Sequence, residues 1–242
     1  MTLILFDIDG TLTATNEVDA KCYATAFQRT FGRPLPTTDW DVYVFVTDTG
    51  IIHEVLEAER GSRATAAEIA AFERAFVEAL EAEYAVNPGG FAEIPGAKAV
   101  LDAIEARSGM QAAIATGGMR GSGTYKLSRI GVDAPALPGG FSNDDDTREG
   151  VARCAVARAD ALAGAHAATH DLVYVGDGPW DVRTSAAVGM RFIGISGDAS
   201  GERLYAEGAS VCLENYLDQD AFFRAVEDAR VPCPPKQAGA GG

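Results

Sequence analysis

Short apolar runs recur along the chain at Leu3 to Phe6, Ala112 to Ala115, Leu172 to Val175 and Phe192 to Ile195, with a weaker one at Ser210 to Leu213. The first run is apolar on both alternating faces, the pattern of a central parallel strand covered by helices on each side. Ala-rich, helix-prone stretches lie around 97–107, 148–163 and 180–188. Strand and helix therefore alternate as in an α/β fold built on a doubly wound, Rossmann-like parallel sheet with right-handed crossovers.

The interval from about Asn16 to Phe91 breaks this alternation. It has apolar residues at helical spacing over Asp19 to Phe31, Ile51 to Leu56 and Ile69 to Tyr84, but no buried strand. It reads as an inserted helical subdomain, entered through Thr13 to Asn16 and left through the hinge Asn87-Pro88-Gly89-Gly90. The expected organisation is a core of residues 1–15 and 92–231, a small α-helical cap over 16–91, and a loose Pro- and Gly-rich tail over 232–242.

Composition narrows the function. The 242 residues, 47% of them hydrophobic, suffice for one sizeable core. Thirty-five acidic against 20 basic residues give a formal charge of -15, which opposes nucleic acid and anionic lipid as partners. No long apolar run suggests a membrane span, and Met1 leads directly into a strand-like run, so neither export nor membrane insertion is expected. Cys22, Cys154, Cys212 and Cys233 are scattered, without metal-ligand pairing or disulfide density, which suits a reducing cytoplasm. Nothing in the sequence separates a monomer from a homodimer.

Four elements at strand ends carry candidate chemistry. In Phe6-Asp7-Ile8-Asp9-Gly10-Thr11-Leu12, two acids two positions apart follow a buried strand and point nearly the same way, although Asp-Gly is also an ordinary turn pair. In Ile114-Ala115-Thr116-Gly117-Gly118, a hydroxyl and exposed backbone N–H groups could hold phosphate oxygens, or merely open a loop. Arg148 begins a helix-prone segment, where a solvated surface arginine is the competing reading. In Val175-Gly176-Asp177-Gly178-Pro179-Trp180-Asp181, a further strand delivers two acids four apart, and Asp181 could equally stabilise a helix N-terminus.

In an open parallel sheet, ligands bind beyond the carboxyl ends of the strands, so these elements converge on one rim. Two carboxylates ~5 Å apart repel by roughly 3 kcal/mol at an effective dielectric of 20, a conflict that a bound hard cation removes. Oxygen-only ligation favours Mg²⁺, and the lack of clustered His and Cys disfavours zinc.

With these motifs in place, the sequence resembles the haloacid dehalogenase superfamily hydrolases of the phosphatase type with a helical cap, such as phosphoglycolate phosphatase-like proteins. The resemblance spans nearly the whole chain and rests on the pairing of Asp7-Ile8-Asp9-Gly10-Thr11-Leu12 with Gly176-Asp177-Gly178-Pro179-Trp180-Asp181. It implies that Asp7 attacks phosphorus, that Asp9 protonates the leaving oxygen and then activates water, and that Thr116 with Gly117 binds phosphate. It further implies that Asp7, the backbone carbonyl of Asp9 and Asp177 hold Mg²⁺, with Asp181 holding metal waters or orienting the site. The family's third motif is usually lysine. Here Arg148 stands at the matching distance before Asp177, and Lys126, which belongs to the helix after Thr116, is the alternative. The implied substrate is a small phosphorylated metabolite. Between the helices of the insertion, Asp48 or Thr49 is expected to cap a helix, and the loop holding Thr47 and Asp48 could face the substrate. His53, His166 and His170 show no catalytic spacing.

Other chemistries compete. A phosphosugar mutase would share the acids but pass the phosphoryl group to a sugar hydroxyl. Haloacid dehalogenation needs neither the second acid nor a metal. Schiff-base phosphonate hydrolysis would want a lysine in the lid, where only Lys21 stands. A non-catalytic phospho-acceptor module would need neither Asp9 nor the insertion.

Overall fold

A computed structural model describes residues 1–163, 171–197 and 200–233. His166, His170 and most of the expected tail lie outside the described residues. Six strands form one parallel sheet: β1 (Thr2–Phe6), β2 (Met110–Ala115), β3 (Gly139–Gly140), β4 (Asp171–Gly176), β5 (Arg191–Ile195) and β6 (Cys212–Leu213), in the order β3-β2-β1-β4-β5-β6. β1 is central, with Phe6 paired to Ile114 on one side and Val175 on the other. The chain reverses its direction of travel across the sheet between β3 and β4, so the ends of β1, β2 and β4 share one crevice.

Both faces of β1 are buried, as its unbroken apolar run requires. Ile4 and Phe6 pack with α4 (Ala97–Glu105), α5 (Arg120–Arg129) and α9 (Gln219–Asp228), through Val100, Ile104, Leu127 and Phe222. Leu3 and Leu5 pack with α6 (Arg148–Ala163), α7 (Pro179–Val188) and α8 (Ser200–Ala206), through Ala152, Ala155, Val182 and Leu204. Each fully buried Leu, Ile or Phe contributes roughly 1.5–3 kcal/mol.

The insertion forms α1 (Asn16–Phe31), α2 (Asp48–Arg60) and α3 (Ala66–Val86). Their facing sides enclose a second apolar cluster of Tyr23, Phe27, Ile52, Leu56, Phe72, Phe76 and Leu80, which also takes in Met119 from the core. Tyr23 packs edge-on against Phe72 and Phe76, at ring separations of 4.9 and 5.6 Å. A reciprocal Thr65–Glu68 capping box starts α3. The chain's two passages between core and cap run side by side: the Ala14 amide donates to Ala92 O at 2.8 Å, and the Ile94 amide to Leu12 O at 2.9 Å.

Candidate active site

Asp7 leaves β1 at the sheet's carboxyl edge, its amide still bonded to Val175 O at 3.0 Å. Only 3% of the residue is exposed, and its Oδ1 has no hydrogen-bond partner. The chain then closes a tight turn, with the Leu12 and Thr13 amides both donating to Ile8 O. Gly10 is indispensable in that turn for two reasons. Its φ is +73°, and a Cβ there would stand 1.9 Å from Asp177 Oδ2. The turn thus lets the backbone after β1 lie directly against the acid delivered by β4.

Asp177 follows β4 and accepts from Asn16 Nδ2 at 3.0 Å. Asp181, fully buried on the first turn of α7, accepts the Gly178 amide at 3.0 Å and Arg148 Nη1 at 2.5 Å. It therefore caps its helix as well as facing the site. Ligand oxygens of Asp7, Asp177 and Asp181 lie within 4.8 Å of one another. Burial raises the pKa of all three. For Asp7 the Arg148 charge and the Thr116 hydroxyl oppose the rise, while for Asp177 the neighbouring Asp181 and Asp7 reinforce it. Asp181 is pushed up to about 7 by burial, against the pull of Arg148. The side chain of Asp9 does not join this cluster. Its Oδ1 accepts from Thr15 Oγ1 and its Oδ2 from Lys126 Nζ, both at 2.5 Å.

On the opposite side of Asp7, β2 ends in Thr116, and the Gly118 amide bonds back to its hydroxyl at 3.1 Å. A Cβ on Gly117 would lie 2.5 Å from Val46 O and 2.7 Å from Arg148 Nη2, so only glycine lets this loop pass beneath the cap and beside the guanidinium. Arg148 Nη1 stands 3.7 Å from Asp7 Oδ2, while its Nε donates to Val46 O at 2.6 Å. Lys126 is 1% exposed and bridges Asp9 and Asp19, at 2.5 Å from each. The two candidate cations therefore do different things: Arg148 sits by Asp7, and Lys126 ties Asp9 to the first helix of the cap.

A family model described as haloacid dehalogenase-like hydrolase matches residues 1–189. The chain belongs to this family. No curated protein matches it in sequence. Among solved structures it resembles a hydrolase from Pseudomonas syringae, with 20% identity and a TM-score of 0.68 over 93% of this chain and 98% of that one. A candidate β-phosphoglucomutase from Bacteroides vulgatus has 20% identity and a TM-score of 0.64, over 94% and 89% of the two chains. CbbY from Rhodobacter sphaeroides, in complex with phosphate, gives 20% identity and a TM-score of 0.62 over 90% and 96%. At such identity these likenesses bear on the fold, and they share it.

The cap of this haloacid dehalogenase-like hydrolase covers a cavity of about 390 Å³. Core residues Asp7, Asp9, Thr116, Gly117, Arg148, Asp177 and Trp180 line it from below, and Asn16, Asp19, Trp40, Thr47, Asp48 and Ile51 from the cap. The loop expected to face substrate does line the cavity, but the helix cap differs from expectation. Thr47, not Asp48 or Thr49, is the N-cap of α2, its Oγ1 accepting the Gly50 amide at 3.1 Å. Asp48 is free for another task because its carboxylate points down to the core, where Oδ2 accepts the Met119 amide at 2.8 Å. Asp19 and Trp40 carried no signal in the sequence. They are ordinary helix and loop residues that become site residues only when the cap sits on the sheet edge. His53 lies away from the cavity lining, its Nδ1 accepting the Ala64 amide at 3.2 Å, and Lys21 pairs with Glu83 at 2.6 Å.

Proposed function

We propose that the protein is a Mg²⁺-dependent phosphatase of small phosphorylated metabolites, acting through phosphorylation of Asp7. The observation that carries this reading is the partnerless, buried Asp7 Oδ1, set between an all-oxygen acidic cluster on one side and a hydroxyl, glycine loop and guanidinium on the other. Three carboxylates within 4.8 Å, two of them buried and that of Asp177 half-buried, are mutually repulsive. An oxygen-only set of this charge suits a hard divalent cation, and Asp7, Asp177 and Asp181 would hold it, with the Asp9 carbonyl as the further ligand implied by the family motif. When bound, Mg²⁺ would neutralise the acids and polarise phosphoryl oxygens.

The chain's own groups supply the remainder. An Asp7 carboxylate oxygen attacks phosphorus in line with the ester oxygen, the P–O ester bond breaks, and Asp9 gives the departing alkoxide its proton. Water then attacks the aspartyl phosphate, Asp9 takes the water proton, and inorganic phosphate leaves with Asp7 restored. Thr116, Gly117 and Arg148 hold the equatorial oxygens, where charge is spread in the transition state. Asp9 must exchange Lys126 and Thr15 for the leaving oxygen and bring to it a proton taken from water, and it can do so because it lines the cavity. The cap excludes water from the acyl phosphate except through the reacting position. A cytoplasmic location and a small-molecule partner, without nucleic acid or membrane, belong to the same proposal. Among the described residues no helix is long and apolar enough to cross a membrane.

A second reading, a phosphosugar mutase, has the likeness to the Bacteroides protein in its favour. A screen of phosphomonoesters with and without Mg²⁺ separates the two. Metal-dependent release of inorganic phosphate supports hydrolysis, an isomeric sugar phosphate supports the mutase, and release that is indifferent to divalent cations contradicts the proposal.

A further inference from the structure

A haloacid dehalogenase-like cavity of this kind could serve phosphate esters whose leaving group is neutral, or esters that carry a second phosphate or a carboxylate. The cavity wall distinguishes these cases. The natural place for a second anion is the N-terminus of α5, which is separated from the loop at Gly117 and Gly118 only by its N-cap Met119 and presents backbone N–H groups toward the cap. In this chain that place is filled from within. The Met119 amide donates to Asp48 Oδ2 at 2.8 Å, the Arg120 amide to Asn143 Oδ1 at 2.6 Å, and the Gly121 amide to Glu73 Oε1 at 2.7 Å. Asp48 and Glu73 come from the cap and Asn143 from the core, where its Nδ2 also donates to Glu73 Oε2 at 3.0 Å.

The cations around the cavity are committed too. Arg148 serves Asp7, Asp181 and Val46 O. Lys126 is enclosed between Asp9 and Asp19. Arg203, at the rim and largely exposed, is bonded to Asp41 at 2.7 Å. The surfaces left to a leaving group are the carboxylates of Asp19 and Asp48, the Asn16 amide, and the apolar faces of Trp40, Ile51 and Trp180. Acceptors between apolar faces suit an alcohol carrying hydroxyl or amino donors, and they offer no uncommitted cation to another anion.

From these contacts we infer that the substrate is the monophosphate of a hydrogen-bond-donating, non-anionic alcohol, such as a polyol, a monosaccharide or an amino alcohol. The carboxyl groups of Asp48 and Glu73 already occupy the Met119 and Gly121 amides, so a second phosphate or carboxylate finds no donors there. The inference rests on the phosphatase reading and narrows it. It also disfavours a mutase, since passing a phosphoryl group from Asp7 to a sugar phosphate produces a bisphosphate that the same cavity would have to accommodate.

The test compares kcat/KM for phosphate release from polyol, monosaccharide and amino-alcohol monophosphates with that from phosphoglycolate, phosphoglycerate and a sugar bisphosphate, in the presence of Mg²⁺. The non-anionic esters are expected to be favoured by about tenfold or more, the scale on which one misplaced charge or unpaired polar group discriminates substrates. In Asp48→Ala, which frees the Met119 amide, that ratio is expected to fall several-fold toward the anionic esters. Glu73→Ala, which frees the Gly121 amide, gives a second, independent reading of the same ratio. Preference for a bisphosphate or carboxylate ester, or a ratio unmoved in both variants, overturns the inference while leaving the phosphatase intact. Failure to release phosphate from any ester sinks both.

Discussion

Lys126 Nζ lies 2.5 Å from Asp9 Oδ2 and, on its other side, 2.5 Å from Asp19 Oδ1, so a single buried ammonium joins the turn after the first strand to the first helix of the cap. Burial works against the charge on Lys126, but Asp19 and Asp9 outweigh it and hold its pKa above the ordinary lysine range. Lys126→Met leaves those acids facing each other without a cation. Breaking a buried pair by removing one partner typically costs about 3–5 kcal/mol, and a loss of that size is expected in chemical denaturation. Adding Asp19→Asn should return part of it, and strict additivity of the two changes would contradict the coupling.

Asp19 also gives the cap a pH dependence. Burial first, and then the Asp9 charge, raises its pKa from 3.8 to about 7 against the pull of Lys126. Between those values the folded protein keeps a proton that the unfolded chain releases. The group's effect on stability is therefore most favourable below the unfolded pKa, worsens as pH rises toward about 7, and is constant above. The difference in Tm between wild type and Asp19→Asn, which cancels the other titrating groups, should shift in the variant's favour across that window. A difference independent of pH would show that Asp19 is ionised throughout.

Gly10→Ala should disable the acidic cluster without touching any of its carboxylates. The new methyl would stand 1.9 Å from Asp177 Oδ2, and the residue would have to hold a φ of +73°. The strain alone is of order 1 kcal/mol or more, and Asp177 must move aside. The expected result is a higher Mg²⁺ requirement with a smaller loss of Tm than a core truncation brings. An unchanged Mg²⁺ dependence would separate Asp177 from any metal.

Arg148 and Lys126 are distinguished by kinetics. Arg148 stands 3.7 Å from Asp7, so Arg148→Ala should lower kcat by about 10²–10³, the usual scale for losing one preorganised donor to transition-state charge. Arg148→Lys should recover only part of this, because a point charge cannot reach Asp7, Asp181 and Val46 O together as the guanidinium does. A kcat in Arg148→Ala close to wild type would move the role elsewhere.

The strand ends were legible in the sequence because each acidic or glycine-rich motif directly follows an apolar run, and in a parallel sheet those ends must share an edge. The three cap helices were legible for a similar reason, as apolar residues at helical spacing pack where the spacing puts them. β3 left no such trace. It is two glycines, and it runs where it does because Gly140 has no Cβ, which would otherwise stand 2.0 Å from Val151 O. The pairing of Lys126 with Asp19 spans 107 positions and arises only when cap and core meet. Periodicity can place each residue on its helix, but it carries no information about which two faces will touch. For the same reason Asp48 reads as a helix cap until the hydroxyl of Thr47 is seen to cap α2 and the carboxylate is seen reaching Met119.

The central claim is that Asp7 itself receives the phosphoryl group. Rapid acid quench during turnover of a phosphomonoester with Mg²⁺, followed by mass spectrometry of the peptide holding residues 1–15, tests it most directly. One added phosphoryl group on Asp7, absent without Mg²⁺ and absent in an inactive Asp7→Asn protein, is the expected result. Turnover that persists in Asp7→Asn, or a phosphoryl group carried by any other residue, would contradict the account.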